Sequence, residues 1–77
     1  MIECTYTREF WVDEWNRPDP HLSLADVPIK GKKILTRPGY LVGESTLHPD
    51  GIKYQRVQDK ELKREYLIPD IDVKWEK

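Results

Sequence analysis

The sequence predicts an all-β domain, or a β-rich domain with one short helical turn, that spans residues 1–77 as a single unit. With 77 residues, of which 38% are hydrophobic and 35% are charged, the chain is long enough for one small core. Its 6 prolines and 4 glycines interrupt the sequence too often for long helices. Several segments alternate apolar and polar residues with a period of two, which is typical of strands with one buried face.

The first strand is predicted at residues 2–7, where apolar and polar side chains alternate. Phe10 and Val12 keep the same parity, but a strand that continued so far would be unusually long. We therefore expect a kink near Arg8. Beyond it, residues 9–16 are ambiguous between a strand and one turn of helix.

A proline-containing loop is predicted at residues 16–28. Each proline restricts itself and the residue before it to extended backbone, which disfavours a helix there. Within the loop, Ser23 is followed three residues later by Asp26, a spacing that suits one short turn of helix. Pro28 would end that turn.

The middle of the chain predicts two further strands and a hairpin. Residues 32–36 suit a strand, residues 37–39 (Arg-Pro-Gly) a turn, and residues 40–47 the next strand. The strongest local signal is His-Pro-Asp-Gly at 48–51. Proline and aspartate suit the centre of a type I turn, and glycine suits the left-handed residue that closes it. Residues 52–57 are therefore expected to pair with the preceding strand.

The register of this hairpin follows from its turn. Counting back from the turn places Thr46 opposite Tyr54, and Glu44 opposite Arg56 as a cross-strand ion pair. Gly43 lies where the apolar parity changes, which is typical of a hairpin that bends at the corner of a small barrel.

The last third of the chain predicts a connection at residues 59–61 and a strand at 62–68, with a short helix at 60–66 as the alternative. A clean alternation at residues 71–75 predicts the final strand. The expected architecture is a small five- to six-stranded barrel or roll. It is similar to the SH3-like group of barrels in size and strand count only, and that similarity implies no function.

Charge and cysteine content narrow the class of protein. The chain has 13 basic and 14 acidic residues, so it lacks the overall basic excess of an obligate nucleic-acid binder. Residues 1–26 are acidic on balance, however, and residues 27–65 are basic. A single cysteine, Cys4, cannot form an internal disulfide, which favours a reducing, cytoplasmic setting. No apolar run approaches the length of a membrane span.

Neither catalysis nor metal binding is indicated by the sequence. Cys4, His21 and His48 are far apart and show no paired ligand spacing. No nucleophile, base and orienting group occur together in a recognisable pattern. We therefore expect a non-enzymatic protein with no cofactor, no metal and no small-molecule substrate.

Aromatic residues favour a protein partner instead. Three tryptophans and four tyrosines exceed what a minimal core needs, and aromatic side chains are the usual anchors of protein interfaces. This predicts an adaptor, an accessory subunit or a small inhibitor. The candidate partner-binding residues are Trp11, Asp13, Glu14, Trp15 and Arg17.

The alternative is a small barrel that binds nucleic acid through a basic face. Lysine and arginine would contact phosphates, and tyrosine would stack on bases. Interleaved acidic residues weigh against it, because alternating charges usually form a solvated surface. The residues of this alternative site are Lys30, Lys32, Lys33, Arg37, Tyr40, Tyr54 and Arg56.

Overall fold

The computed structural model describes residues 1–18 and 30–76. Within them the chain forms one antiparallel sheet, with the strand order β4-β3-β2-β1-β5. The elements are β1 (Glu3–Val12), β2 (Gly31–Leu47), β3 (Lys53–Asp59), β4 (Glu65–Pro69), a 3₁₀ turn (Asp70–Asp72) and β5 (Val73–Lys74). The predicted β-rich class is confirmed. The predicted helical turn at residues 23–26, and most of the loop that contains it, lie outside the described residues.

The described strands do not close into a barrel. β4 and β5 form the two edges of the sheet and do not pair with each other. β5 adds only two residues to the sheet, where Lys74 pairs with Thr5 and Val73 with Tyr6. The barrel expected from the sequence is therefore not confirmed, although β4 does reach across the curved sheet to contact β1. In the part of the chain that the structure describes, no helix is long and apolar enough to cross a membrane.

β1 is a single strand whose two faces differ sharply. Cys4, Tyr6, Phe10 and Val12 are buried on one side, which we call the inner face. The pairing with β2 continues through Arg8 without a break, so the expected kink does not interrupt the strand. Arg8 keeps the inner parity, and its guanidinium lies over the rings of Phe10 and Tyr66, at 4.8 and 4.3 Å from their centroids. Cation–π contact lets a charged residue cover the core.

β2 runs straight through the segment where a turn was predicted. Residues 37–39 belong to one 17-residue strand, so that prediction was wrong. Gly39 serves a close approach between strands: a Cβ there would lie 2.7 Å from the carbonyl oxygen of Gln58 and 2.8 Å from a methyl carbon of Val57. The pattern Pro-Gly reads locally as a turn, but here the missing side chain lets β2 pack against β3.

The hairpin turn at residues 48–51 is confirmed. The amide of Gly51 donates to the carbonyl of His48 at 2.9 Å, and the amide of His48 donates to the carbonyl of Ile52 at 3.0 Å. Gly51 has the left-handed φ of +84° that closes such a loop. Asp50 accepts a further hydrogen bond from the amide of Ile52 at 2.9 Å.

A bulge in β2 changes the register beyond this turn. Thr46 faces Tyr54 as predicted, but the register then shifts and Val42, not Glu44, faces Arg56. The predicted pair between Glu44 and Arg56 is therefore wrong, and Arg56 lies 3.7 Å from Glu65 on β4 instead. The extra residues lie between Val42 and Thr46 and include Gly43, whose φ is +71°. Bulges of this kind bend a strand and re-aim its side chains.

The last elements are shorter than expected. β4 places Tyr66 and Ile68 toward the core, as the strand prediction for residues 62–68 required, and the alternative helix at 60–66 is absent. The final strand was predicted over residues 71–75 but is limited to Val73–Lys74. The 3₁₀ turn takes the residues before it and leaves Ile71 86% exposed.

A fully buried carboxylate, Asp59, joins three strands inside the core. It accepts hydrogen bonds from the hydroxyl of Tyr6 on β1 and from the guanidinium of Arg37 on β2, the latter at 2.8 Å. Its other oxygen accepts from the amides of Glu61 at 2.9 Å and Leu62 at 2.8 Å. Burial alone would raise the pKa of Asp59, but these hydrogen bonds outweigh it and lower the pKa to about 2.

Candidate functional site

The outward face of the sheet carries an unusual share of uncharged side chains. Cross-strand partners point to the same side, so the pairing of β1 with β2 identifies this face. On β2 it presents Ile34, Thr36, Pro38, Tyr40 and Val42 in succession. An antiparallel sheet with one packed face normally turns polar residues to water on the other.

Four side chains at one end of the outward face form a compact group. Trp11 lies opposite Lys32, and Glu9 lies opposite Ile34. The Lys32 ammonium is 4.6 Å from the indole centroid of Trp11 and 3.4 Å from a carboxylate oxygen of Glu9. Trp11 is 54% exposed and Ile34 is 72% exposed. We call these four residues the outward quartet.

Along β1 and β2, the outward quartet is followed first by uncharged side chains and then by an ion pair. The hydroxyls of Thr7 and Thr36 lie 2.8 Å apart as a hydrogen-bonded pair. Farther along, the Lys60 ammonium lies 2.6 Å from Glu3 and 5.3 Å from the ring centroid of Tyr40. This pairing lowers the pKa of Glu3 and raises that of Lys60. The charges on this part of the face are therefore matched locally.

A tight turn after β1 positions Trp15. Asp13 is buried, and its carboxylate accepts from the amides of Trp15 and Arg17, both at 2.9 Å, and from the Arg17 guanidinium at 2.7 Å. Burial opposes ionisation, yet these hydrogen bonds leave the pKa of Asp13 below its ordinary value. The indole of Trp15 remains 64% exposed, with the Arg17 guanidinium 4.8 Å from its centroid.

The predicted partner-binding residues are not all on the surface. Trp11 lies on the outward face, and Trp15, Glu14 and Arg17 are exposed in the turn that follows. Asp13 is buried beneath them and holds the turn, so its own side chain is not part of the exposed surface. Whether these residues bind a partner stays a prediction.

Sequence reasoning missed Ile34. Its signal was present, because Lys32 and Thr36 share its parity and are polar. Leu35 beside it is also apolar, however, and either residue could have faced the core. Only the pairing of Leu35 with Arg8 and of Ile34 with Glu9 shows which one is outward.

The residues of the nucleic-acid alternative are divided between the two faces. Lys32 is outward, whereas Lys33 lies opposite the buried Phe10. Lys30 is exposed just before β2. Arg37 is mostly buried and bound to Asp59. The phosphate-binding hypothesis stays a prediction, but these cations do not form one continuous basic patch.

The other members of that set also have partners. Tyr40 contacts Lys60 on the outward face. Tyr54 donates a hydrogen bond to Asp50 at 2.7 Å and packs edge-on against His48. Arg56 pairs with Glu65.

A groove of about 580 Å³ runs beside Trp75. Its apolar lining is Met1, Ile2, Leu41 and Trp75, and its polar lining is Glu44, Ser45 and Gln55. The amide of Gln55 is already bound to the carbonyl of Gly43 at 3.1 Å.

Within residues 1–18 and 30–76, no three histidine, cysteine or acidic side chains are grouped as metal ligands. No family model, curated protein or solved structure compared with the chain matches it.

Proposed function

We propose that this chain is a non-enzymatic binding protein that engages a protein partner through the outward face of β1 and β2. It would act as an adaptor, an accessory subunit or a small inhibitor. One observation carries the proposal: Trp11 and Ile34 lie on neighbouring strands, more than half exposed, on the solvent side of the sheet. Exposed apolar groups that are rimmed by polar residues mark interaction sites.

The chemistry of the surrounding residues supports a protein partner. Tryptophan in a central position and charges at the rim are the usual composition of protein interfaces. Trp15 and Arg17 extend the surface beyond the end of β1. A nucleic acid is less well supported, because Lys32, Arg37 and Arg56 each lie within ion-pair distance of a carboxylate. Phosphate binding would have to displace those partners.

The free thiol of Cys4 agrees with a reducing compartment. Cys4 is buried on the inner face, and burial raises the pKa of its thiol. A neutral buried thiol behaves as a small hydrophobe. We therefore extend the proposal to a cytoplasmic setting, in which such a thiol stays reduced.

Affinity capture from the native host, quantified by mass spectrometry, tests the proposal. A protein captured by the wild-type chain should be lost with Trp11→Ala and with Ile34→Glu, because both remove apolar contact area. Ile71→Glu is the matched control: Ile71 is 86% exposed on the 3₁₀ turn, and this variant should capture the partner normally. Equal capture by all four chains would contradict the proposal. Capture of nucleic acid that falls steeply with salt would favour the alternative.

A further inference from the structure

The outward quartet has a checkerboard arrangement. Trp11 and Ile34 occupy one diagonal, and Glu9 and Lys32 occupy the other. The charged diagonal is closed by a 3.4 Å ion pair, and its two side chains are about half exposed, at 57% and 47%. Each apolar residue therefore has one acidic and one basic neighbour.

The outward quartets of two copies are complementary when the copies are related by one particular two-fold rotation. In a face-to-face dimer, a two-fold axis along the apolar diagonal places Trp11 on Trp11 and Ile34 on Ile34 of the second copy. The same axis brings Glu9 of each copy close to Lys32 of the other. An axis along the charged diagonal would instead place like charges in contact, which is unfavourable.

We propose that the partner of the outward quartet is a second copy of this chain, packed face to face about that axis. The inference rests on the proposed function, because it specifies the partner of the same surface. With strands about 4.8 Å apart and rising about 3.3 Å per residue, the axis makes the strands of the two copies cross at roughly 70°. Such a two-fold contact is isologous and closes at a dimer.

The overall charge of the chain permits this association. The formal net charge is −1 at pH 7, so two copies do not repel each other appreciably. Farther along the same face, Lys60 and Glu3 form their own ion pair at 2.6 Å. The interface would combine an aromatic and aliphatic centre with four charges at its rim, two from each copy.

Charge reversal followed by sedimentation velocity over a range of concentrations tests the dimer. Glu9→Lys alone, or Lys32→Glu alone, places like charges across the two-fold axis and should raise the dimer dissociation constant by about tenfold or more. The double variant Glu9→Lys/Lys32→Glu restores opposite charges across the axis and should return the dissociation constant to near the wild-type value. Ile34→Glu should give monomers.

A second ion pair on the same face provides the matched control. Arg56 and Glu65 lie 3.7 Å apart on β3 and β4, with exposures of 62% and 52%. Arg56 faces Val42, roughly 25 Å along β2 from Ile34 at about 3.3 Å per residue. Reversing this pair should leave the dimer unchanged.

A dimer that tolerates both single reversals, or a double variant that fails to recover, would overturn the assignment of the quartet. A wild-type chain that stays monomeric at every concentration would overturn the second copy as partner. In that case, loss of another captured protein with Trp11→Ala would still uphold the proposed function. The two proposals therefore fail on different measurements.

Discussion

Two buried aspartates in this small protein use the same local chemistry for different purposes. Asp13 directly follows β1 and Asp59 is the last residue of β3, and each accepts hydrogen bonds from amides in the turn that follows. Each also binds an arginine, Arg17 or Arg37, at 2.7 or 2.8 Å. Aspartate suits both places, because its short carboxylate can accept from the backbone just beyond it.

The partners of the two carboxylates differ in their distance along the chain. Arg17 is four residues from Asp13, and its side chain is 63% exposed. Arg37 is 22 residues from Asp59 and Tyr6 is 53 residues away, and the Arg37 side chain is only 14% exposed. Asp13 therefore fixes one turn, whereas Asp59 fixes three strands. The same residue type stabilises an exposed segment in one region and the whole fold in the other.

Removing the carboxylate of Asp59 should have the largest effect. Asp59→Ala leaves the Arg37 guanidinium with only the exposed Glu61, at 4.0 Å, and leaves the Tyr6 hydroxyl without its acceptor. Breaking a buried ion pair in this way costs about 3–5 kcal/mol. Urea denaturation, followed by tryptophan fluorescence, measures the free energy of unfolding. Asp70→Ala, on the exposed 3₁₀ turn, is the control and should stay within about 0.5 kcal/mol of wild type.

Should Asp59→Ala fail to fold, Asp59→Asn keeps the shape but loses the charge, and it should still be measurably less stable than wild type. Wild-type stability in both variants would show that Asp59 does not join the strands energetically.

A side chain at Gly39 should have the next largest effect. Gly39 faces Asp59 across the β2–β3 pair, and the added methyl of Gly39→Ala would lie 2.7 Å from the backbone carbonyl of Gln58. Backbone cannot move away as freely as a flexible side chain, so we expect a loss of about 1–3 kcal/mol. The same denaturation experiment measures it. An unchanged free energy of unfolding would mean that β2 and β3 separate without cost.

Acid should lower the free energy of unfolding through Asp59, and the loss should begin above the pH at which Asp59 is protonated in the folded chain. The pKa of Asp59 is about 2 in the folded chain, against an ordinary value of 3.8. A lowered folded pKa gives stability that is complete above the unfolded pKa and is lost as pH falls toward the folded one. Between about pH 4 and pH 2, wild type should lose about 2 kcal/mol from this group.

Asp59→Asn is the control for the acid experiment. It cannot titrate at this position, so the stability difference between wild type and Asp59→Asn should shrink across the same pH range. A difference that stays constant down to pH 2 would contradict the assignment.

Local features of the fold could be predicted from sequence, and long-range ones could not. The turn at residues 48–51 and the inward parity of β1 depend on neighbours in the chain, and both were predicted correctly. The sequence places Asp59 in a connection and Arg37 on a candidate basic face, because nothing nearby in sequence indicates that they meet. Their pairing depends on the register of three adjacent strands, because Arg37 faces Tyr6 on β1 and Asp59 on β3 faces Gly39, two residues farther along β2.

The register beyond the hairpin shows the same limit. Counting from the turn is correct as far as Thr46 and Tyr54. The shift at Gly43 then depends on whether the strand bulges, and a glycine permits a bulge without requiring one. In the folded chain, Gln55 donates to the carbonyls of Val42 and Gly43 at 3.4 and 3.1 Å, where the register shift begins. That contact spans 12 or more residues and has no local signature.

Asp13→Ala should have the smallest effect on global stability and the clearest effect on one segment. The amides of Trp15 and Arg17 lose their acceptor, and Arg17 loses its ion pair. Because the turn lies at the surface, water can replace the carboxylate, and the unfolding transition should move much less than in Asp59→Ala. Hydrogen exchange at those two amides should accelerate several-fold while the core amides of β1 stay protected.

The same substitution tests whether Asp13 supports partner binding indirectly, by holding Trp15 in place. If Trp15 contributes to binding, Asp13→Ala should weaken partner capture, because the indole is no longer held by its own backbone hydrogen bond. Glu14→Ala, at the exposed neighbouring position, is the control and should leave the exchange of both amides unchanged. Unaltered exchange in Asp13→Ala would show that the turn is held by other contacts. Loss of protection throughout β1 would show instead that Asp13, like Asp59, supports the whole sheet.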